Sequence, residues 1–380
     1  MISNVKSVLV QRKSKSLVFS SLVVFVMFIA VRLHIKCSNI QATGTLSTGA
    51  LKNHGAHPST SKYNSSDQNG RKVKPIDCKD LRHGLVGELK MAKHNATNHT
   101  LHTEPAPEAL PTYTTDKRGR WFPLSCQPKQ KTVIVIPFRD RYEHLKIFIE
   151  HFVPILQRQL LDYIIVVVEQ DFTQNFNRGF LFNVGYKEAL LLTKDNPAPL
   201  CMIQHDVDLL LENDRMIYEC SKNPTHFSVS LDKFKYRLLY SSSFGGVTAV
   251  LGEQFERSNG YSNVFFFWGG EDDDFRNRLH VTGYRTIQYK NASIARYSML
   301  KHQSAEVIKA RLDALIFGNK IYHCDGLNSL DYTVKSRTFE KHYVLIKINV
   351  PSVLKTSSIC RNCISKHLKT NDTYLPKVCR

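Results

Sequence analysis

The residues best suited to chemistry concentrate in Trp268–Asp274, which reads Trp-Gly-Gly-Glu-Asp-Asp-Asp directly after Val264-Phe-Phe-Phe267. Four adjacent carboxylates repel one another, so they need a cation, sugar hydroxyls or basic side chains as partners. The two glycines let backbone approach a ligand closely, and the aromatic run supplies a flat apolar wall. The same acids could instead form a solvated helix N-terminus, where the macrodipole favours them. In a chain of net charge +19, four acids behind an aromatic run favour the functional reading.

Two further clusters carry metal-binding chemistry. Asp206-Val-Asp208 follows a short apolar run. Strand side chains alternate, so the two acids of an Asp-X-Asp at a strand end point the same way and can hold a hard divalent ion. Met299-Leu-Lys-His302 adds an imidazole and a thioether. Thioether is soft, so on its own Met299 reads as a core residue.

Positioning these groups requires a scaffold, and the apolar pattern supplies one. Lys131–Ile136 is a continuous β-branched run, as in a strand buried on both faces, and it ends in the polar loop Pro137-Phe-Arg-Asp-Arg141. Tyr142–Leu161 has helical periodicity through Leu145, Phe148, Ile149, Phe152, Ile155 and Leu156. Asp162–Val168 predicts a second buried strand, closed by Glu169-Gln-Asp171. Phe182–Thr193 predicts a helix, and Cys201–Gln204 a third strand running into His205-Asp-Val-Asp208. This β-α-β-α-β order predicts an α/β fold with a mainly parallel central sheet flanked by helices. Ligands bind such sheets beyond the carboxyl ends of the strands, where three polar loops of this chain fall. From Phe227 onward the pattern is shorter and mixed, as for an acceptor-side half folded onto the same sheet.

The N-terminus predicts a compartment. Leu17–Val31 is fifteen residues, all apolar except Ser20 and Ser21, with Lys6, Arg12, Lys13 and Lys15 before it. With Arg32 and Leu33 at the interface, residues 17–33 just span a thin bilayer as a signal anchor. The positive-inside rule puts the tail 1–16 in the cytosol and the rest in the lumen. A cleaved signal peptide is the competing reading, although no small-residue cleavage site follows the run. Residues 34–115, rich in Ser, Thr, Asn, His, Gly and Lys, cannot bury a core and read as a flexible lumenal stem, with Cys78 tying its end to the domain. A folded domain covers 116–350, and 351–380 is a basic tail with three cysteines.

Sequons at Asn64, Asn95, Asn98, Asn291 and Asn371 agree with a lumenal chain. The nine cysteines form no zinc pattern, and disulfides in an oxidising compartment fit them better. The basic residues are scattered without a recognition helix, finger or single-strand platform, which argues against nucleic acid as partner.

Taken in order, Pro137-Phe-Arg-Asp-Arg141, Phe176-Asn-Arg178 before Asn183-Val-Gly185, His205-Asp-Val-Asp208, Phe244-Gly-Gly246, Trp268–Asp274, Met299–His302 and Asp325-Gly-Leu-Asn-Ser329 form one set. The set resembles the β-1,4-galactosyltransferase family of Golgi glycosyltransferases, from about Trp121 to Val350. Its Gly-Gly-Glu-Asp-Asp-Asp block is the most specific part. The anchor, stem and domain layout also matches that of single-pass type II Golgi membrane enzymes.

The resemblance implies a GT-A type fold, a Mn²⁺-dependent UDP-sugar donor and inversion at the anomeric carbon. It assigns the metal to Asp208, Met299 and His302. The nucleotide falls to Pro137, Phe138, Arg139 and Arg141 with Phe176, Arg178 and Val207. Arg suits bidentate phosphate contact and Phe suits stacking on uracil. Tyr240 and Trp268 would line the donor sugar. Gly270, Glu271, Asp272 and Asp273 would face the acceptor, helped by Arg311. Asp272 would be the general base, with Glu271 the alternative. Cys78–Cys126 and Cys201–Cys220 would be disulfides.

Three departures from the family pattern stand out. Phe266-Phe267-Trp268-Gly269-Gly270 replaces Trp-Gly-Trp-Gly-Gly. The loop after His302 is shorter, and Arg311–Leu315 replaces an aromatic-containing segment. Ser243 stands where galactose-transferring members carry Tyr and N-acetylgalactosamine-transferring members a smaller apolar residue. The donor is therefore UDP-galactose or UDP-N-acetylgalactosamine, and the acceptor a GlcNAc-terminated glycan of glycoprotein or glycolipid. A xylose acceptor, a catalytically silent lectin-like module and a glycoside hydrolase are the competing readings. The last would need neither metal nor the arginines of 137–141.

Overall fold

The computed structural model describes residues 75–89, 112–302 and 310–351, except the side chains of 310, 311, 313, 317 and 319. The predicted anchor 17–33, much of the predicted stem and the tail beyond 351 lie outside the described residues. The chain divides into two units, 1–58 and 59–380, and every described residue belongs to the second.

Tyr113–Thr115 (β1) and Trp121–Pro123 (β2) form an antiparallel hairpin against the main sheet. Lys131–Phe138 (β3), the helix Tyr142–Arg158 (α1), Asp162–Gln170 (β4), the helix Arg178–Leu192 (α2) and Leu200–His205 (β5) follow in the predicted order. β3 lies between β4 and β5, parallel to both. Its alternation feeds two cores. Ile134, Ile136 and Phe138 join the layer under α1, whereas Val133 and Val135 join the layer under α2. A Cβ on Gly185 of α2 would sit 2.2 Å from Val135 Cγ1, so only glycine lets that helix lie so close.

Leu209–Leu211 (β6), Thr225–His226 (β7), Ser230–Leu231 (β8) and Val247–Leu251 (β9) are followed by the short helix Gly252–Arg257 (α3). The helix Glu271–Val281 (α4), Ile287–Gln288 (β10) and Arg296–Met299 (β11) come next. The helix Ala310–Ile321 (α5), Thr333–Phe339 (β12) and Val344–Asn349 (β13) complete the order. The small sheet β6-β11-β8 brings Met299 opposite Leu209, beside the loop that follows β5.

The expectation of a mainly parallel sheet needs correction. β13, β4, β3 and β5 form a parallel centre, but β2, β9 and β12 each pair antiparallel with a neighbour. No crossover helix separates β5 from β9, so the chain returns in the opposite direction.

Helix bounds also differ. α1 ends at Arg158 because Leu160 adopts a left-handed φ of 51°. α2 starts one turn before the predicted Phe182, because the Asn177 side chain caps it by accepting from Phe180 N–H at 2.9 Å.

The structure holds both disulfides, Cys78–Cys126 and Cys201–Cys220, and Cys324 is disulfide-bonded as well. Residues 75–89, which composition assigns to the stem, are tied to the domain by more than Cys78. Arg82 donates to Gln159 O and Glu219, and Gly87 N–H donates to Asp214 at 2.7 Å.

Candidate active site

The carboxyl ends of β3, β4 and β5 carry Arg139 and Arg141, Phe176 and Arg178, and Asp206 and Asp208 respectively. α4 brings the acidic block to the same region. Gly270 precedes it in a left-handed conformation (φ 97°), and all four acids occupy the first helical turn. The block is thus a helix N-terminus, but not a solvated one. Helical spacing buries Glu271 and Asp274 and leaves Asp272 and Asp273 half-exposed. Asp274 accepts from Arg278 Nε at 2.6 Å, and Arg278 also donates to Asp325 at 3.1 Å, all three side chains being fully buried. Burial pushes the Asp274 carboxyl up to about 6. Asp274 therefore holds the helix in place.

Arg178 organises the other acids. Its Nε donates to Asp206 at 2.6 Å, and its Nη1 to Asp272 at 2.5 Å and Glu271 at 3.3 Å. Its guanidinium lies 4.7 Å from the Phe182 ring centre, with Tyr261 stacked on Phe182 and Phe275 stacked on Tyr261. That column locks α2 to α4. Burial pushes Glu271 up, the Asp272 charge adds to it, and Arg178 opposes both. Burial also raises Asp272, again against Arg178. Exposure separates the two acids. The Asp272 side chain is 26 % exposed and that of Glu271 only 8 %, so Asp272 is the one a substrate hydroxyl can reach.

Gly245 abuts that carboxylate. A Cβ there would fall 2.3 Å from Asp272 Oδ2. Only this side chain, and no backbone, would have to give way, so Gly245→Ala is expected to lower the melting temperature modestly, through the disturbed Asp272–Arg178 contact. It should lower turnover by at least about tenfold, since small misplacements of a reacting group are costly. Steady-state kinetics beside a thermal melt checks this. Unchanged kcat would mean that the position of Asp272 is unimportant.

Asp206 and Asp208 depart from the strand-end expectation. β5 stops at His205, and residues 206–208 turn, with Leu209 N–H donating back to Asp206 O at 3.3 Å. The two carboxylates consequently take different partners. Asp208 Oδ2 lies 2.8 Å from His302 Nε2 and 3.3 Å from Arg141 Nη1, and Arg141 Nη2 is 3.2 Å from His302 Nδ1. Leu300 N–H donates to Asp208 O at 2.8 Å, which fixes the end of β11 beside the turn. A carboxylate and an imidazole thus meet at one place, and Met299, paired with Leu209 on the neighbouring strand, packs partly buried against the core layer. This donor set fits one divalent ion with mixed ligands.

The remaining candidates divide by position. Phe138 is 1 % exposed and packs edge-to-face on Tyr142, so its ring is turned into the core, as is the side chain of Val207. These residues, like the buried Pro137, can offer a ligand only backbone. The Arg139 guanidinium instead sits 5.2 Å from the Phe176 ring centre, while Arg141 lies at the Asp208–His302 pair. The two arginines of one motif thus serve two ends of the crevice.

Tyr240 donates to Asp273 at 3.1 Å, and Ser243 N–H donates to Tyr240 O at 3.0 Å. Trp268 is 55 % exposed, between Phe267 (φ 71°) and Gly269 (φ 92°). Phe267 replaces the family's glycine yet keeps a left-handed backbone, and its N–H donates to Phe176 O at 2.9 Å. Side chains other than Gly, Asn or Asp adopt that region at a cost of about 1–2 kcal/mol. The hydrogen bond ties this loop to the Phe176 segment.

The Arg311 side chain and Asn64, Asn95, Asn98 and Asn371 lie outside the described residues, whereas Asn291 is exposed. The contacts that Asp206 and Gly245 bring to the Arg178–Asp272 cluster had no counterpart in the sequence motifs taken singly. The Phe244-Gly-Gly246 motif was the available signal for the second.

Residues 59–221 match a family model for the N-terminal region of glycosyl transferase group 7. Residues 225–303 match one for the N-terminal domain of galactosyltransferase. The rat protein named β-1,4-galactosyltransferase 6 is 43 % identical over 234 residues, 61 % of this chain and 60 % of that protein. Human β-1,4-galactosyltransferase 4 is 40 % identical over 235 residues, 61 % of this chain and 67 % of that protein. The match thus spans about three fifths of the rat relative's length. Among solved structures, a Drosophila β-1,4-galactosyltransferase 7 mutant in complex with manganese, UDP-Gal and xylobiose aligns at a TM-score of 0.50 with 25 % identity. The alignment covers 63 % of this chain and 98 % of that one.

Proposed function

As the chain belongs to the β-1,4-galactosyltransferase family, we propose that it is an inverting, Mn²⁺-dependent glycosyltransferase carrying galactose from UDP-galactose to terminal GlcNAc. The observation that carries this reading is the arrangement around Asp272. One carboxylate oxygen accepts from Arg178, the other faces Gly245, and the helix N-terminus lies beneath. A carboxylate so fixed can take the proton of an acceptor hydroxyl as that oxygen attacks the anomeric carbon. Arg178 holds it in place, and Asp273 and Tyr240 would orient the sugars beside it.

Asp208, His302 and Met299 would hold the metal, which supplies Lewis-acid stabilisation of charge on the departing diphosphate. Manganese and UDP-Gal both occupy the Drosophila neighbour, which supports the same ligands here. Arg141 stands beside the Asp208–His302 pair, where a diphosphate would need a cation. The anchor 17–33 would place the domain in the Golgi lumen, on a single-pass type II chain.

Ser243 favours a second donor. Its small side chain leaves room for a 2-acetamido group, which gives UDP-N-acetylgalactosamine and a LacdiNAc product as the alternative. The test is transfer by the detergent-solubilised full chain to a GlcNAc-terminated acceptor, with each donor in turn, with Mn²⁺ and with EDTA. Metal-dependent transfer from UDP-galactose is the expected result. Preference for the N-acetylated donor would assign the alternative. Metal-independent hydrolysis of glycosides, or sugar binding without transfer, would contradict both.

A further inference from the structure

We propose that Phe172 is a donor-binding residue, a second aromatic ring that joins Phe176 and Arg139 in receiving the pyrimidine base of the nucleotide. The inference rests on the nucleotide-sugar reading above. Phe172 is the most exposed large apolar side chain among the described residues, at 73 %. Its loop is pinned on both sides.

Before the ring, Asp171 N–H donates to Ile348 O at 3.1 Å, and the Asp171 carboxylate pairs with Lys335 at 2.6 Å. After it, Thr173 Oγ1 donates to Asp171 at 2.6 Å, and Gln170 Nε2 donates to Asn175 O at 2.8 Å. The backbone that carries this exposed ring is therefore fixed on both sides.

Its neighbour determines what would cover it. The Arg139 guanidinium lies 5.5 Å from the Phe172 ring centre and 5.2 Å from that of Phe176, at the carboxyl ends of β3 and β4. Arg139 Nη1 donates to Gln174 O at 2.8 Å, and a guanidinium has five N–H donors, so others remain for a ligand. Two aromatic rings beside a cation with hydrogen-bond donors suit a flat heterocycle carrying carbonyl oxygens. A pyrimidine base has both a π-face for the rings and carbonyls for the arginine. An extended protein partner would need a wider apolar surface, whereas Phe172 is flanked by Asp171 and Thr173.

The test compares binding of UDP and of inorganic pyrophosphate to the full chain and its Phe172→Ala variant, by calorimetry with Mn²⁺ present. Loss of one stacking ring is expected to weaken UDP roughly 5- to 100-fold and leave pyrophosphate unchanged. Phe172→Tyr should restore UDP binding, and the donor KM should rise in Phe172→Ala at unchanged kcat. Equal UDP affinity in Phe172→Ala and the parent overturns the inference and leaves the nucleotide-sugar reading standing. Equal weakening of UDP and pyrophosphate overturns it too, since a base-stacking ring cannot act on pyrophosphate. Absence of UDP binding in the parent overturns both.

Discussion

Asp272→Asn is expected to lower kcat by about 10²- to 10⁴-fold, the usual contribution of a general base, with UDP affinity unchanged. The substitution keeps shape and an oxygen for Arg178, so the Arg178 contacts to Asp206 and Glu271 persist. What it removes is the capacity to accept a proton. Glu271→Gln should cost less, because that side chain is buried and faces Arg178 at a longer distance than Asp272 does. Single-turnover kinetics with UDP titrations separates the two effects. Full turnover in Asp272→Asn would remove that residue from the role and return Glu271 to consideration.

Asp208→Asn is the second large effect expected. The Asp208 carboxylate is the only anionic member of the proposed metal set, so its loss should weaken Mn²⁺ binding by more than about tenfold. Asparagine keeps the volume of a residue that is 4 % exposed, so the fold should survive. Electron paramagnetic resonance of added Mn²⁺ reads the affinity directly, without reliance on turnover. Unchanged Mn²⁺ binding would place the metal elsewhere.

Much of the scaffold was legible because burial leaves a local imprint. The β-branched run of β3 and the apolar run of β4 read correctly as strands buried on both faces, and their polar loops fell at the crevice. Contacts made over long sequence distances left no such imprint. Arg178 reaches Asp206, Glu271 and Asp272, which are 28, 93 and 94 residues away. Nothing in its neighbourhood could therefore separate a phosphate ligand from a clamp on the acids.

The acidic block read as one feature but functions as two. Helical spacing sends Asp274 to Arg278 in the interior and leaves Asp272 at the surface. Phe138 misled for a similar reason. A phenylalanine in a loop motif suggests stacking, yet strand alternation turns it under α1 with Ile134 and Ile136. The turn at 206–208 broke the alternation on which the paired-carboxylate reading depended.

Asp272 acting as base implies a single displacement, with no enzyme group attacking the sugar. The most direct test is the anomeric configuration of the product formed from an α-linked UDP-sugar and a GlcNAc acceptor, read by proton nuclear magnetic resonance. A β-linked product, joined at the acceptor's 4-hydroxyl, is expected. An α-linked product would mean retention, as in a double displacement through an enzyme nucleophile, and would contradict a single back-side displacement.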